Sequence, residues 1–286
     1  MYIAKIENSG GEVLTLTQDE SRWTVYEIAG LNPPGAQINL TNLAGLDGAR
    51  FNSSKLATRN IVVSLKINGE IETNRQELYR FFRTKEACIF YFANANRNVK
   101  IAGYVETVEC NMFSNMEIMQ ISIICPYPYF QAVEESETDI SNQIRLFVFP
   151  FSINEGEPVP FSEYTNNRIA VVENGSEAET GAVFEAEFTD SVNKLMIYNT
   201  EQNEHITINY DFQSGDRAII NTVKGQKSVA LVRNGVSRNI FSAVERGSVF
   251  LQLLPGENRF SYVADDGASN DDVHITVMFS EIFRGV

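Results

Sequence analysis

Two histidines, three cysteines, one tryptophan and an acidic loop are the parts of this 286-residue chain whose residue types could do chemistry. Catalysis by proton transfer or nucleophilic attack needs a base held beside a nucleophile, or two carboxylates sharing a cleft. His205 opens one strand-like segment, and His274 lies with Thr276 on the polar face of another; both read as ordinary strand histidines. No GxSxG, HExxH or Walker-type stretch occurs. Carboxylates are so abundant in an acidic chain that a pair of them carries no weight. The expectation is a protein that is not an enzyme, with no catalytic residue and no cofactor-binding residue.

The acidic loop is DDGASNDD at 265–272. Hard cations want several carboxylates close together, but the D-x-[DN]-x-[DN]-G spacing and a well-placed downstream Glu are both missing. It reads as a solvated hairpin connection, and no metal is expected. Cys88, Cys110 and Cys125 are odd in number, have no CxxC spacing, and each lies in an apolar strand-like stretch. They are expected as buried free thiols. Sugars need an aromatic platform flanked by polar side chains. The single tryptophan, Trp23 in RWTVYEI, sits where strand alternation can bury it, so a glycan site in the second half would rest on tyrosine.

Strand alternation is the dominant pattern that would position these residues. Ile61, Val63, Leu65 and Ile67 alternate with polar partners, as do Phe184, Ala186 and Phe188, then Ile206, Ile208 and Tyr210, then Val273, Ile275, Val277 and Phe279. Such period-two runs mark half-buried strands, and the NG, GD, PG and DDG turns between them suit antiparallel sheets. One segment differs. In ETNRQELYRFFRTKEA, Leu78, Phe81 and Phe82 make a helical stripe, and Thr73 with Gln76 spells a capping box, which predicts a helix over 74–85.

The length favours two domains. Proline at 126 and 128 in CPYPYFQ, followed by the polar AVEESETD, marks the break. The expected order is a β-rich domain at 1–130, a linker at 131–141, strand resuming in QIRLFVFPFSI, and a β-sandwich at 142–286. Charge divides at the same place. Residues 1–130 hold 12 Lys+Arg against 13 Asp+Glu, whereas residues 131–286 hold 11 against 24. So acidic a half will not grip nucleic acid through phosphates, and a near-neutral half is free to assemble with copies of itself. No run of about 18 apolar residues occurs, so no membrane-inserted helix is expected. The opening MYIAKIENSGGEV lacks a signal peptide's apolar stretch, so synthesis and assembly in a cytoplasm are expected.

The second half carries a resemblance. GDRAIINTVKGQKSVALVRNG at 215–235, RGSVFLQLLPGENRFSYVADDG at 246–267 and VHITVMFSEIFRGV at 273–286 follow one another. The order is similar to the C-terminal domain of siphophage distal tail proteins. The matching positions are Gly215, Asp216, Ile220, Thr222, Lys227, Val229, Asn234, Gly235, Ser248, Phe250, Leu254, Pro255, Gly256, Asn258, Gly285 and Val286; Phe283 departs, since the family more often has Tyr there. Gly-Asp, Asn-Gly and Leu-Pro-Gly-Glu-Asn are turn sequences, hence scaffold. In the first half, LNPPG, KLATRNIVVSLKING, the helix and CIFYFANANRNVKIAGYVETVE resemble the same family's hub domain.

The resemblance implies a mainly β fold. A β-sandwich-like hub domain with one α-helix would precede an antiparallel sandwich like a galectin or carbohydrate-module jelly roll. It implies a virion structural protein at the tail tip of a phage or prophage, a homohexameric baseplate-hub ring whose lumen passes DNA. Its partners would be its own copies, the tail tube protein, the tail-associated hub or lysin protein and a receptor-binding protein, without sequence-specific nucleic acid contact. The other reading is an adsorption module gripping host cell-wall sugars through the second domain.

Overall fold

The computed structural model describes residues 2–17, 21–45, 47–141, 143–145, 162–164, 169–264 and 272–286. They form two compact units, Met1–Val133 with Ile282–Val286, and Glu134–Glu281.

The first unit is built on β1 (Ile3–Asn8), β2 (Val13–Thr15), β3 (Trp23–Ala29), β4 (Ala36–Asn42), β5 (Ala49–Leu56), β6 (Arg59–Ile67), α1 (Ile71–Phe81), β7 (Ala87–Ala93), β8 (Asn98–Cys110), β9 (Ile118–Cys125) and β10 (Phe130–Ala132). Its main sheet runs β2-β1-β7-β8-β9-β6-β3, all antiparallel neighbours. Register explains the core. Ile61 pairs with Ile123, Val63 with Ile121 and Leu65 with Met119, so one face of each strand is apolar and buried. Those residues join Ile6, Phe90, Phe92 and Ile101 in one cluster, with Trp23, Leu78 and Phe82 added from β3, α1 and the residue after it. Where β8 crosses this face it carries Gly103, whose missing side chain would sit 2.6 Å from Ile123 Cγ2 and 2.9 Å from Cys125 Sγ.

The helix spans Ile71–Phe81, not 74–85, and its N-cap is Glu70, which makes no side-chain cap bond. Thr73 lies inside the first turn and turns its hydroxyl to the Glu70 carboxylate at 3.3 Å, while the Gln76 amide reaches Glu72. The capping box is therefore not formed: Asn74 N already bonds to Glu70 O, which starts the helix one turn earlier.

The stretch expected as a linker, 131–141, is mostly strand. β10 pairs with β8, and β11 (Ser136–Asp139) pairs in the second unit. That unit continues with β12 (Gln143–Arg145), β13 (Ser162–Tyr164), β14 (Ala170–Asn174), β15 (Thr180–Gly181), β16 (Val183–Phe188), β17 (Val192–Asn199), β18 (Glu204–Phe212), β19 (Arg217–Asn221), β20 (Ser228–Arg233), β21 (Val236–Asn239), β22 (Gln252–Leu253), β23 (Gly256–Ala264) and β24 (Val273–Phe279). A six-stranded sheet, β11-β24-β16-β19-β20-β21, and a four-stranded sheet, β14-β23-β17-β18, share one core. Phe184 of the first meets Phe260 of the second edge-on at 5.5 Å, the contact of two sheets packed face to face. Of QIRLFVFPFSI, residues 146–153 lie outside the described residues, as do 265–271 of the acidic loop.

The last strand, β25 (Ile282–Phe283), leaves the second unit's sequence and pairs with β10 of the first, Phe130 opposite Phe283 and Gln131 opposite Ile282. The second unit is thus inserted between two paired strands of the first.

Candidate assembly surfaces

Antiparallel strands bury a row of apolar side chains against something; β4 and β5 do not. Among the described residues they pair only with each other, Ala36 opposite Leu56 through Asn42 opposite Ala49, and almost every residue is exposed. Ile38, Leu40 and Phe51 nonetheless stand on one side, 60%, 53% and 59% exposed, with Leu40 directly opposite Phe51. A two-stranded hairpin is marginal on its own in water. An apolar stripe on such a hairpin is what a partner would cover.

A second apolar feature is the β8–β9 connection, residues 111–117. Phe113 is 104% exposed, with Met112 and Met116 beside it. The loop is braced from within: Asn111 Oδ1 accepts from Ile118 N at 2.7 Å, and Ile67 N donates to Glu117 O at 3.0 Å. A third is a cleft of about 540 Å³ between β2, β3 and α1, with Val13, Leu14, Trp23, Leu78 and Phe81 as its apolar lining. Its charged rim is Glu12, Arg22, Glu77, Arg80 and Arg83. Arg22 lies over the Trp23 ring at 4.6 Å and pairs with Glu77.

The first unit is closed by its own arginines. Arg59, 3% exposed, donates to the carbonyls of Pro128, Gly30, Asn32 and Arg284, and lies 4.5 Å over the Phe130 ring. Burial pulls its pKa below the ordinary arginine value, partly offset by Cys125. Arg97 donates to Gly285 O and stacks 4.4 Å over Phe283. Residues 282–286 are thereby part of the first unit's scaffold.

The second unit presents an open polar cleft of about 560 Å³, lined by Asn193, Asn209, Tyr210, Asp211, Gln213 and Arg233. Arg233 is held by Asp216, Nε to Oδ1 at 2.8 Å. Asp216 is buried and also accepts from Gln213 N at 2.8 Å. The Arg233 hydrogen bond, more than burial, sets the direction: it keeps the Asp216 carboxyl below the usual aspartate value.

The residues singled out from sequence that are described each have a place. Thr222 Oγ1 accepts from Ala182 N and donates to Ala182 O, both at 2.9 Å. Ser248 Oγ accepts from Thr207 N, and Lys227 reaches over Phe250. Asn234 and Gly235 both have positive φ, the turn that joins β20 to β21. The Asn258 side chain closes the Leu-Pro-Gly-Glu-Asn turn by bonding Leu254 N and O and Gly256 O. Ile220 and Val229 are core, and Gly285 belongs to the first unit's closure. These positions close turns, tie strands together or fill the core.

Trp23, Cys88 and Cys125 are buried and Cys110 is half-buried; all three cysteines are free. Burial pushes the Cys88 thiol up to about 11 and the Cys125 thiol up to about 12, which leaves them inert as nucleophiles. His205 stacks on Tyr198. His274 meets Ser141 Oγ at Nδ1 and Asp139 Oδ2 at 3.4 Å from Nε2, but Ser141 also donates to Asp139. In a nucleophilic triad the carboxylate and the hydroxyl lie on opposite sides of the ring; here they bond to each other. The cluster ties the end of β11 to β24. Among the described residues no group of three or more His, Cys, Asp or Glu is arranged to hold a metal ion, and no helix is long and apolar enough to cross a membrane.

Sequence reasoning missed the hairpin, the Phe113 tip and the α1 cleft. Their signal was present: Ile38 and Leu40 alternate with Gln37, Asn39 and Thr41, and NMFSNME is an apolar tip between two strands.

Comparison with known proteins follows this division. Residues 10–125 match the family described as phage tail protein RIFT-related domain, and residues 175–283 match siphovirus-type tail component, C-terminal domain. The SPP1 Dit protein (gp 19.1), described as a paradigm of the hub adsorption apparatus in phages infecting Gram-positive bacteria, is similar over 99% of both chains, at 14% identity and a TM-score of 0.72. A chain of the phage p2 baseplate in its activated conformation with Sr is similar over 98% of both chains, at 10% identity and a TM-score of 0.54. Another from that baseplate with Ca covers 97% of this chain and 98% of its own, at 11% identity and a TM-score of 0.51. No curated protein matches.

Proposed function

The chain belongs to the siphophage distal tail protein family, and from that premise we propose that it builds the hub of a tail tip. Copies of the first unit close a hexameric ring that joins the tail tube to the tail-associated and receptor-binding proteins, and the lumen passes DNA without reading its sequence. The role is structural and needs no reaction. The descriptions of SPP1 Dit as an adsorption hub and of the p2 protein as baseplate support that location in a virion, after assembly in the bacterial cytoplasm.

The observation that supports the ring is the β4–β5 hairpin, whose apolar stripe of Ile38, Leu40 and Phe51 is exposed among the described residues. Surfaces of this kind are buried in assemblies. Native mass should correspond to about six chains, with rings in negative stain. A monomer at every concentration would oppose the reading.

The second reading, a grip on cell-wall sugars, rests on the Tyr210 cleft, where an aromatic ring stands among amides, a carboxylate and an arginine. Arg233 and Gln213 line the same cleft and could meet a ligand's hydroxyls. Retention of the protein on host cell walls, lost in Tyr210→Ala, is its test; equal retention of both proteins would remove it.

A further inference from the structure

The β4–β5 hairpin exposes nearly all of its residues, so no core of its own decides which way it points. A two-stranded ribbon of this kind takes its direction from its roots. Ala57 N donates to Gly35 O at 2.9 Å and closes the base of the ladder. Gly30, Leu31, Asn32 and Pro33 stand on the entering side, and Arg59 opens β6 on the leaving side.

Both roots are held by residues from far along the chain. Arg59 Nη1 donates to the carbonyls of Gly30 and Asn32, and its Nη2 donates to that of Arg284. A guanidinium presents its donors in a rigid planar fork. One buried side chain therefore fixes the entering root, the leaving root and Arg284 against one another. Val286 N donates to Leu31 O at 3.2 Å. Gly285 lies so close that a side chain there would begin 3.1 Å from Pro33 Cδ and 3.3 Å from Leu31 O. Pro33 and Pro34 have φ fixed by their rings, so a displacement of this segment is passed on to β4. The far side of the contact is anchored as well: β25 pairs with β10, and Arg97 stacks over Phe283 and bonds to Gly285 O.

We infer that residues 284–286, together with Arg59, form a strap that sets the direction of the β4–β5 hairpin. Arg59 and Gly285 are positioning residues. Neither belongs to the apolar stripe, and each acts on it through its roots. The order of the chain gives the strap a consequence. Residues 134–281, which make the second unit, lie between β10 and β25 in sequence. Synthesis runs in that order, so the strap closes only after the second unit has been made. The hairpin takes its final direction late, when the acidic unit already exists. The bearing on assembly rests on the ring reading; the strap itself does not.

A spin label on the hairpin tests it in the full chain. The label is carried by Ser53→Cys, an exposed position of β5, with Cys110→Ser to remove the half-buried thiol. Ile38→Asp and Leu40→Asp are added to keep the chain monomeric, so that the label reads the strap and not a neighbouring copy. Two variants loosen the strap: Gly285→Leu wedges it away from Pro33, and Arg97→Gln removes the stack on Phe283 without adding volume. Each should shift the Ser53 spectrum from its slow to its fast component. The same label at Lys66→Cys, exposed in β6, should not move, and Trp23 fluorescence should stay native. In the chain that keeps Ile38 and Leu40, both variants should lower the native mass. A Ser53 spectrum unchanged in both variants, or an equal change at Lys66, overturns the strap. A mobile label with full native mass overturns only its bearing on assembly. A monomeric wild type removes the ring reading, and the Ser53 comparison still decides the strap.

Discussion

The two units are built from the same antiparallel chemistry and finish it differently. In the second, two sheets face each other and their apolar rows are spent on one shared core. Its exposed large apolar residues, such as Ile169, Val236 and Phe241, are scattered along the sequence. In the first, the main sheet makes one core, and then a hairpin, a loop tip and a cleft present further apolar surface. Charge follows: residues 131–286 carry 24 acidic against 11 basic side chains, and residues 1–130 are nearly balanced. Net charge of one sign opposes contact between copies of the acidic unit, and the balanced unit lacks that opposition.

Trp23, the only tryptophan, lies in the first unit's core. Its fluorescence therefore reports that unit, whereas circular dichroism reports both. Arg59→Ala should have the largest effect, because it orphans four carbonyls and opens a hole over Phe130. A loss of about 3–5 kcal/mol is expected, seen as an earlier Trp23 transition with the rest of the dichroism melt in place. An unchanged Trp23 transition would contradict the role given to Arg59. Gly103→Ala comes next. Its methyl group would meet Ile123, Cys125 and the Ile124 carbonyl below 3 Å, costing about 1–3 kcal/mol, again in the fluorescence transition alone.

Asp216→Asn moves the other unit, by about 1 kcal/mol at neutral pH, in dichroism without a change in Trp23 fluorescence. Its pH dependence has a definite sign. The folded pKa is depressed by Arg233, so the stabilisation is complete above an unfolded aspartate's value of about 4 and is lost as pH falls through the lower folded value. The variant should lack that acid-sensitive component in a series of urea melts, and an unchanged acid limb would contradict the pairing. Smallest in stability is Ile38→Asp with Leu40→Asp. Both sites are exposed, so unfolding should shift by within about 0.5 kcal/mol, although assembly is lost.

Much of this was legible in the sequence, because core strands announce themselves by alternation. Ile61 to Ile67 and Val273 to Phe279 fall where period two puts them. The turn residues of the second unit, Asn234–Gly235 and Asn258 among them, were readable because positive φ and side-chain closure need particular residue types. The hairpin was not readable as a surface. Ile38 and Leu40 alternate as faithfully as Val63 and Leu65, and only pairing tells which row has a core to enter. The return of β25 to β10 links residues more than 150 apart, and no local pattern encodes it. The helix start was misread because Thr73 and Gln76 spell a cap that the chain passes over in favour of Glu70.

Assembly is proposed to reside in the first unit's exposed apolar stripe, and native mass measures it directly. The full wild-type chain, 32.1 kDa each, should run as about six chains, and the Ile38→Asp, Leu40→Asp chain should run as one with its unfolding unchanged. A variant that keeps the full mass, or a wild type that is monomeric at high concentration, would contradict the account.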